Sequence, residues 1–181
     1  MITLLVVLLV IVVAIILIYN QLIRLRNLAD EGWSGIDVQL KRRADLVPNL
    51  VNTVKAYAAH EKSLFEEVTR IRSEALRPHT VEEQVETEAA LTQSLRKLMI
   101  VAEGYPDLKA NTNFLELQKE LSAVENTLQK ARRYYNGTVR ELNTKIETFP
   151  SNIIARLFTF SKKAFFSLGS EAEGSVPQIN I

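Results

Sequence analysis

Cysteine is absent from the 181 residues, which removes disulfides, thiolate metal ligands, thiol catalysis and a lipid-modified cysteine together. Histidine occurs twice, as His60 and His79. The 22 basic and 21 acidic side chains leave a net charge of +1, so no global field draws the chain to nucleic acid. Six glycines and five prolines are few for a protein built of many short strands and turns. There is no GxxxxGK[ST] loop to cradle phosphates, no GxGxxG turn and no GxSxG nucleophile elbow. What is present is 47% hydrophobic and 24% charged residues, enough for one packed domain with appendages.

The apolar residues are unevenly spread. Residues 1–23 carry no charged side chain, and the stretch Met1–Ile18 reads MITLLVVLLVIVVAIILI. Fifteen of those 18 residues are Leu, Ile or Val. As a helix rising about 1.5 Å per residue, the stretch reaches about 27 Å, close to the hydrocarbon thickness of a bilayer. Each such residue favours insertion by roughly 0.3–0.6 kcal/mol at central positions, so the sum is several kcal/mol. A cleaved signal peptide fits poorly, because no Lys or Arg precedes the run and no small-x-small site follows it. Residues 1–23 are therefore expected to be a transmembrane anchor. Tyr19, Arg24 and Arg26 follow as interface residues, and the arginines favour an outside N-terminus with a cytoplasmic C-terminal body. The span has no GxxxG, so close dimerisation through it is not indicated.

Residues 24–150 read as long helices. Apolar side chains recur at helical spacing from Leu25 and Leu28 to Val68 and Ile71, which predicts one helix over about 24–76, kinked at Pro48. Gly32 and Gly35 flank Trp33 and weaken that helix slightly. Thr80 and Glu83 form a capping box for a helix over 81–103, which Gly104-Tyr105-Pro106 ends. A last long helix over 111–148 carries Phe114, Leu117, Leu121, Val124, Leu128, Ala131 and Tyr135 in steps of three and four. Heptad-like spacing of this kind serves either a coiled coil with another subunit or the inner stripe of an antiparallel bundle.

Residues 151–168 change character. Five of the seven phenylalanines lie in 149–166, and Arg156, Lys162 and Lys163 are the charges of 151–168. A basic, aromatic, amphipathic helix suits a membrane surface, with Phe158, Lys162, Lys163, Phe165 and Phe166 at the interface. It equally suits packing on the bundle. Residues 169–181, with two acids, two glycines and a proline, are expected to be a flexible tail.

Little chemistry is visible. His60-Glu61 starts like a zinc-protease motif, but position 64 is Leu, so the second ligand is missing. Glu82, Glu83, Glu86 and Glu88 read as a solvated helix surface, since no histidine sits three residues after any of them. Lys41, Arg42 and Arg43 lie about 27 Å beyond the span along a straight helix, so a structural role is favoured over headgroup binding. No catalytic, cofactor-binding or metal-binding residue is proposed.

Three stretches together resemble the bacterial LemA family. They are YNQLIRLRNLADEGWSGIDVQLKRRADLVPNLVNTVKAYAAHE (19–61), YPDLKANTNFLELQKELSAVENTLQKARRYYNGTVRELNTKIETFP (105–150) and the IA…F…FF pattern from Ile154 to Phe166. The resemblance implies a bacterial cell-membrane protein with one span, a short outside N-terminus and a helical antiparallel body, without an enzymatic activity to carry over. The expected fold is all-α: an N-terminal transmembrane helix continuous with a long antiparallel bundle of three to four helices. The expected function is a single-pass, self-associating scaffold at the inner membrane. Its partners would be the lipid bilayer and further copies of itself, with another membrane protein as a further candidate and no nucleic acid or small-molecule substrate. The rival expectation is a regulatory adaptor for another membrane or stress-response protein.

Overall fold

The computed structural model describes residues 1–77 and 80–167. Among them every regular element is a helix: α1 Ile2–Lys55, α2 Lys62–Ala75, α3 Val81–Glu103, α4 Pro106–Lys109, α5 Thr112–Glu147 and α6 Ser151–Leu157. The chain forms two compact units, one of Met1–Ile36 with Lys130–Phe165 and one built on Asp37–Gln129. His79, Leu168 and the expected tail at 169–181 lie outside the described residues.

In the second unit, apolar faces of α1, α2, α3 and α5 close on one core. Val47, Val51 and Val54 meet Phe65, Val68 and Ile71, with Leu91, Leu95, Leu98 and Phe114 completing it. Burial of each such side chain is worth about 1.5–3 kcal/mol against exposure. α3 starts on the expected capping box: Thr80 N–H donates to Glu83 Oε2 at 2.9 Å, and Glu83 N–H to Thr80 Oγ1 at 3.3 Å. α5 is capped by Asn111, whose Oδ1 accepts from Phe114 N–H at 3.1 Å.

The helix expected over 24–76 is two helices. α1 stops at Lys55, and 56–61 turn the chain through hydrogen bonds from Tyr57 and Ala58 N–H to Val54 O and from Glu61 N–H to Ala58 O. No Gly or Pro marks this turn. The reason lies in what the apolar residues need. A straight continuation would leave Phe65, Val68 and Ile71 without a partner, whereas folding back buries them on α1's own valines.

Pro48 stands inside α1, which continues past it to Lys55. Proline lacks the N–H that would have satisfied the carbonyl four residues earlier. That carbonyl belongs to Ala44, and Arg72 of α2 donates its Nε–H to it at 2.7 Å. The donor missing from one helix is supplied by the other, which also fixes the antiparallel register of the pair.

Arg43, at 2% exposure, ties three helices. Its Nη1 donates to Glu88 Oε2 at 2.8 Å and its Nη2 to Thr92 Oγ1 at 2.9 Å, both on α3. Its Nε lies 2.8 Å from Glu125 Oε1 on α5, close enough for an ion pair though not aligned for a hydrogen bond. Of the basic cluster, Lys41 and Arg42 are exposed and Arg43 is core. Glu88 is likewise buried, which corrects its reading as solvated surface; a buried carboxylate needs a cation, and Arg43 sits too far away in sequence to be seen as its partner.

In the first unit α1 runs antiparallel to α5. Trp33 packs on Tyr135 with ring centroids 5.5 Å apart, and a Cβ on Gly32 would stand 3.1 Å from Tyr135 Cα. Glycine here permits the close approach of two backbones, while a Cβ on Gly35 would meet nothing within 4 Å.

Two thermal-denaturation tests follow from these contacts. Gly35→Ala should stabilise by about 0.5–1 kcal/mol through helix propensity, while Gly32→Ala should lower stability by pushing α1 off α5. Arg72→Met should cost about 1–3 kcal/mol by orphaning the Ala44 carbonyl, and much less in a Pro48→Ala background, where position 48 again supplies a donor.

Candidate membrane-anchoring site

α1 is long and apolar enough to cross a membrane, and its most apolar stretch has no cover from the rest of the described chain. The large side chains from Met1 to Val13 are all exposed, as are Ile16 and Leu17. Cover begins at Ile15. There α6 arrives, and Ile154 and Ala155 pack with Ile15, Ile18, Tyr19 and Leu22, the last fully buried. The stretch expected as a uniform anchor over 1–23 therefore has a bare part and a part lined on one side by protein.

The expected interface residues divide in the same way. Arg24 and Arg26 are exposed, and the Arg26 guanidinium stands 5.6 Å from the centre of the Phe160 ring. Tyr19 is half-buried, its ring 4.7 Å from that of Phe158 and 5.9 Å from that of Phe160. Phe158 and Phe165 remain 45% exposed. Phe166 is 2% exposed, which removes it from any lipid-facing set. Lys162 Nζ donates to Glu147 Oε1 at 2.6 Å and Lys163 Nζ to Asp30 Oδ1 at 2.7 Å.

The single helix expected over 151–168 is also corrected. α6 ends at Leu157, and 158–167 continue without helix. Thr159 takes φ 55°, while its N–H donates to Arg156 O and that of Phe160 to Ala155 O. These two bonds make a Schellman-type end, in which the left-handed position is ordinarily glycine. A threonine there hides the stop signal and carries strain. Asn143 of α5 then holds the departing segment at both poles of one residue: its Nδ2 donates to Lys163 O and its Oδ1 accepts from Lys163 N–H, each at 2.9 Å. Sequence reasoning passed over Asn143, whose only signal is an amide on an otherwise inward face.

The seam residues of α5 lie inside their own chain. Phe114, Val124, Leu128 and Tyr135 are buried, Leu117 and Leu121 half-buried, and the Tyr135 hydroxyl donates to Ala164 O at 2.9 Å. What sequence reasoning missed is outside. Phe149 is 80% exposed, Ile153 56% and Leu157 70%, so the bend between α5 and α6 is apolar where solvent would be expected. The short helix turns Ile154 inward and Ile153 and Leu157 outward.

Among the described residues no three His, Cys, Asp or Glu side chains converge as metal ligands would. The polar cluster around Arg43 is filled by its own partners.

The sequence profile of the LemA family matches residues 32–181. The chain belongs to the LemA family. Protein LemA of Metamycoplasma hominis is 28% identical over 155 residues, which cover 85% of this chain and 70% of that one. Magnetosome proteins MamQ 1 and MamQ 2 of Paramagnetospirillum magneticum are each 22% identical over 174 residues, covering 82% of this chain and 64% of theirs. Together with the bare apolar run, the kinship describes a helical, membrane-associated protein of the LemA family.

The segment after α6 generates two tests. Thr159→Gly should raise stability by about 0.5–1 kcal/mol, read by chemical denaturation, because glycine accepts the left-handed position without strain. Asn143→Ala should cost about 1–3 kcal/mol and speed amide exchange at Lys163, whose N–H loses its acceptor.

Proposed function

We propose that this LemA-family protein is a single-pass, membrane-anchored helical scaffold without catalytic activity that associates with copies of itself at a bacterial inner membrane. The observation that carries the anchor is that α1 remains one helix from Ile2 to Lys55 while its neighbours cover it only from Ile15 onward. A helix bare and apolar all round needs lipid or another apolar surface. Arg24 and Arg26, exposed just past the run, support an N-terminus outside and a body in the cytoplasm. Support for self-association comes from confinement to one membrane, which raises the effective concentration of copies; the span itself, without a GxxxG, indicates no close helix pairing. The α5 seam offers no such support, its residues being engaged within the chain.

A second reading, an adaptor for another membrane protein, draws on the second unit. A groove of about 580 Å³ there is lined by Val51, Lys55, Lys62, Phe65, Glu66 and Arg70, an apolar floor with a rim of three basic side chains and one acidic. A crosslinked pull-down yielding a stoichiometric partner lost on Phe65-side charge reversal, Arg70→Glu, would favour it.

Two measurements test the leading reading. Leu9→Arg with Val12→Arg places two charges in mid-span at a cost of about 5–7 kcal/mol, comparable to the whole insertion gain, and should shift protein from the carbonate-resistant membrane fraction to the soluble one. Light scattering on detergent-extracted full-length protein should give a protein mass above one chain; a strictly monomeric mass would end the self-association part.

A further inference from the structure

We infer that the bend joining α5 to α6 is a second membrane-contacting element: Phe149, Ile153 and Leu157 enter the bilayer beside α1, at the edge of the hydrocarbon layer. This rests on the reading of α1 as a membrane span. It adds an occupant, lipid, for a surface that the anchor alone does not require to be wet by lipid.

Level comes first. The first charged side chain of α1 is Arg24. A hydrocarbon layer of about 30 Å ending just before it spans about twenty helical residues, back to about Leu4. α6 packs on Ile15, Ile18, Tyr19 and Leu22, inside the last part of that stretch. Any bilayer that covers the uncharged run on its open sides therefore meets α6 on the other side. Placing the boundary earlier, at Tyr19, still leaves α6 beside the last lipid-covered turn.

Chemistry agrees with level. From Thr148 to Ser161 the sequence holds one charge, Arg156, whose long aliphatic stem can carry the guanidinium back to the headgroups. Among the outward side chains of the bend, Phe149, Ile153 and Leu157 are each more than half exposed. In water this surface has no evident cover; beside lipid it needs none.

Much of the bend's backbone is bonded within the chain. A segment entering an apolar layer must satisfy its own N–H and C=O groups. Here Asn152 N–H donates to Thr148 O, Ile153 to Pro150 O, Phe158 to Ile154 O, Thr159 to Arg156 O and Phe160 to Ala155 O. Ser151, buried, donates its hydroxyl to Thr148 O at 2.9 Å. The strained Thr159 closes the helix end that would otherwise present free carbonyls. The exposed pair Lys162–Glu147 flanks the bend on both its strands, as charges flank an interfacial element.

The chain's lack of cysteine makes the test direct. Single cysteines replace Ile153, Leu157, Val7 and Ile100 in the full-length protein, each exposed in the native fold. They carry a nitroxide label in nanodiscs of phosphatidylcholine and phosphatidylglycerol. Collision with lipid-dissolved oxygen is compared with collision with an aqueous nickel chelate. The inference expects positions 153 and 157 to resemble Val7, with an oxygen-to-nickel ratio several-fold above that at Ile100. If Val7 favours oxygen while 153 and 157 match Ile100, the inference is overturned and the anchor stands. Shielding of 153 and 157 from both reagents would mean a protein contact and also overturns it. Nickel access at Val7 would overturn the anchor, and the inference with it.

Discussion

Helix α1 stays one helix from Ile2 to Lys55, losing the backbone bond that Pro48 cannot make, while its surroundings change completely along its length. Over the first turns its Val, Leu and Ile side chains meet nothing from their own chain; at Leu22 one side is closed by protein and that side chain is fully buried; by Val47 and Val54 the helix is part of a four-helix core. A helix can make this transition because its main-chain bonding is internal and independent of the medium. Everything else in the protein accommodates that one element. α5 lies against it in the first unit, α6 reaches it where cover begins, and α2 folds back on its far end.

Polar groups settle which way those helices lie. The apolar cores alone would tolerate sliding, since valines and leucines at helical spacing are interchangeable within a turn. Arg72 is not, because the carbonyl that Pro48 leaves open exists at one place on α1. Nor is Arg43, whose three nitrogens are spread over Glu88, Thr92 and Glu125. Buried ion pairs add little net stability over an apolar replacement, yet a broken one is costly. Their effect here is to penalise every other register. Gly32 acts in the same sense in the first unit, where it lets α1 approach Tyr135 closely at one position.

Several features were legible from residues alone. The uncharged run, the capping box at Thr80 and the inward stripe of α5 depend on neighbours in sequence, so periodicity and composition expose them. The turn at 56–61 was not legible, for AYAAHE contains no breaker and the apolar spacing runs on through it. Nor was the end of α6, where threonine occupies a position that glycine would have announced. Glu88 looked like one more acid on a charged helix until Arg43, distant in sequence, was brought beside it.

The sequence by itself determined that this chain is helical, that its first turns prefer lipid to water, and that it carries the stamp of the LemA family. These are sums over local residues and need no knowledge of the fold. Only the tertiary structure decided where the helices reverse, that Phe166 is buried and Phe149 bare, and that cover of α1 begins at Ile15. Those facts depend on which faces meet across many residues of chain. The energy of such meetings belongs to pairs of surfaces, and no single segment contains it.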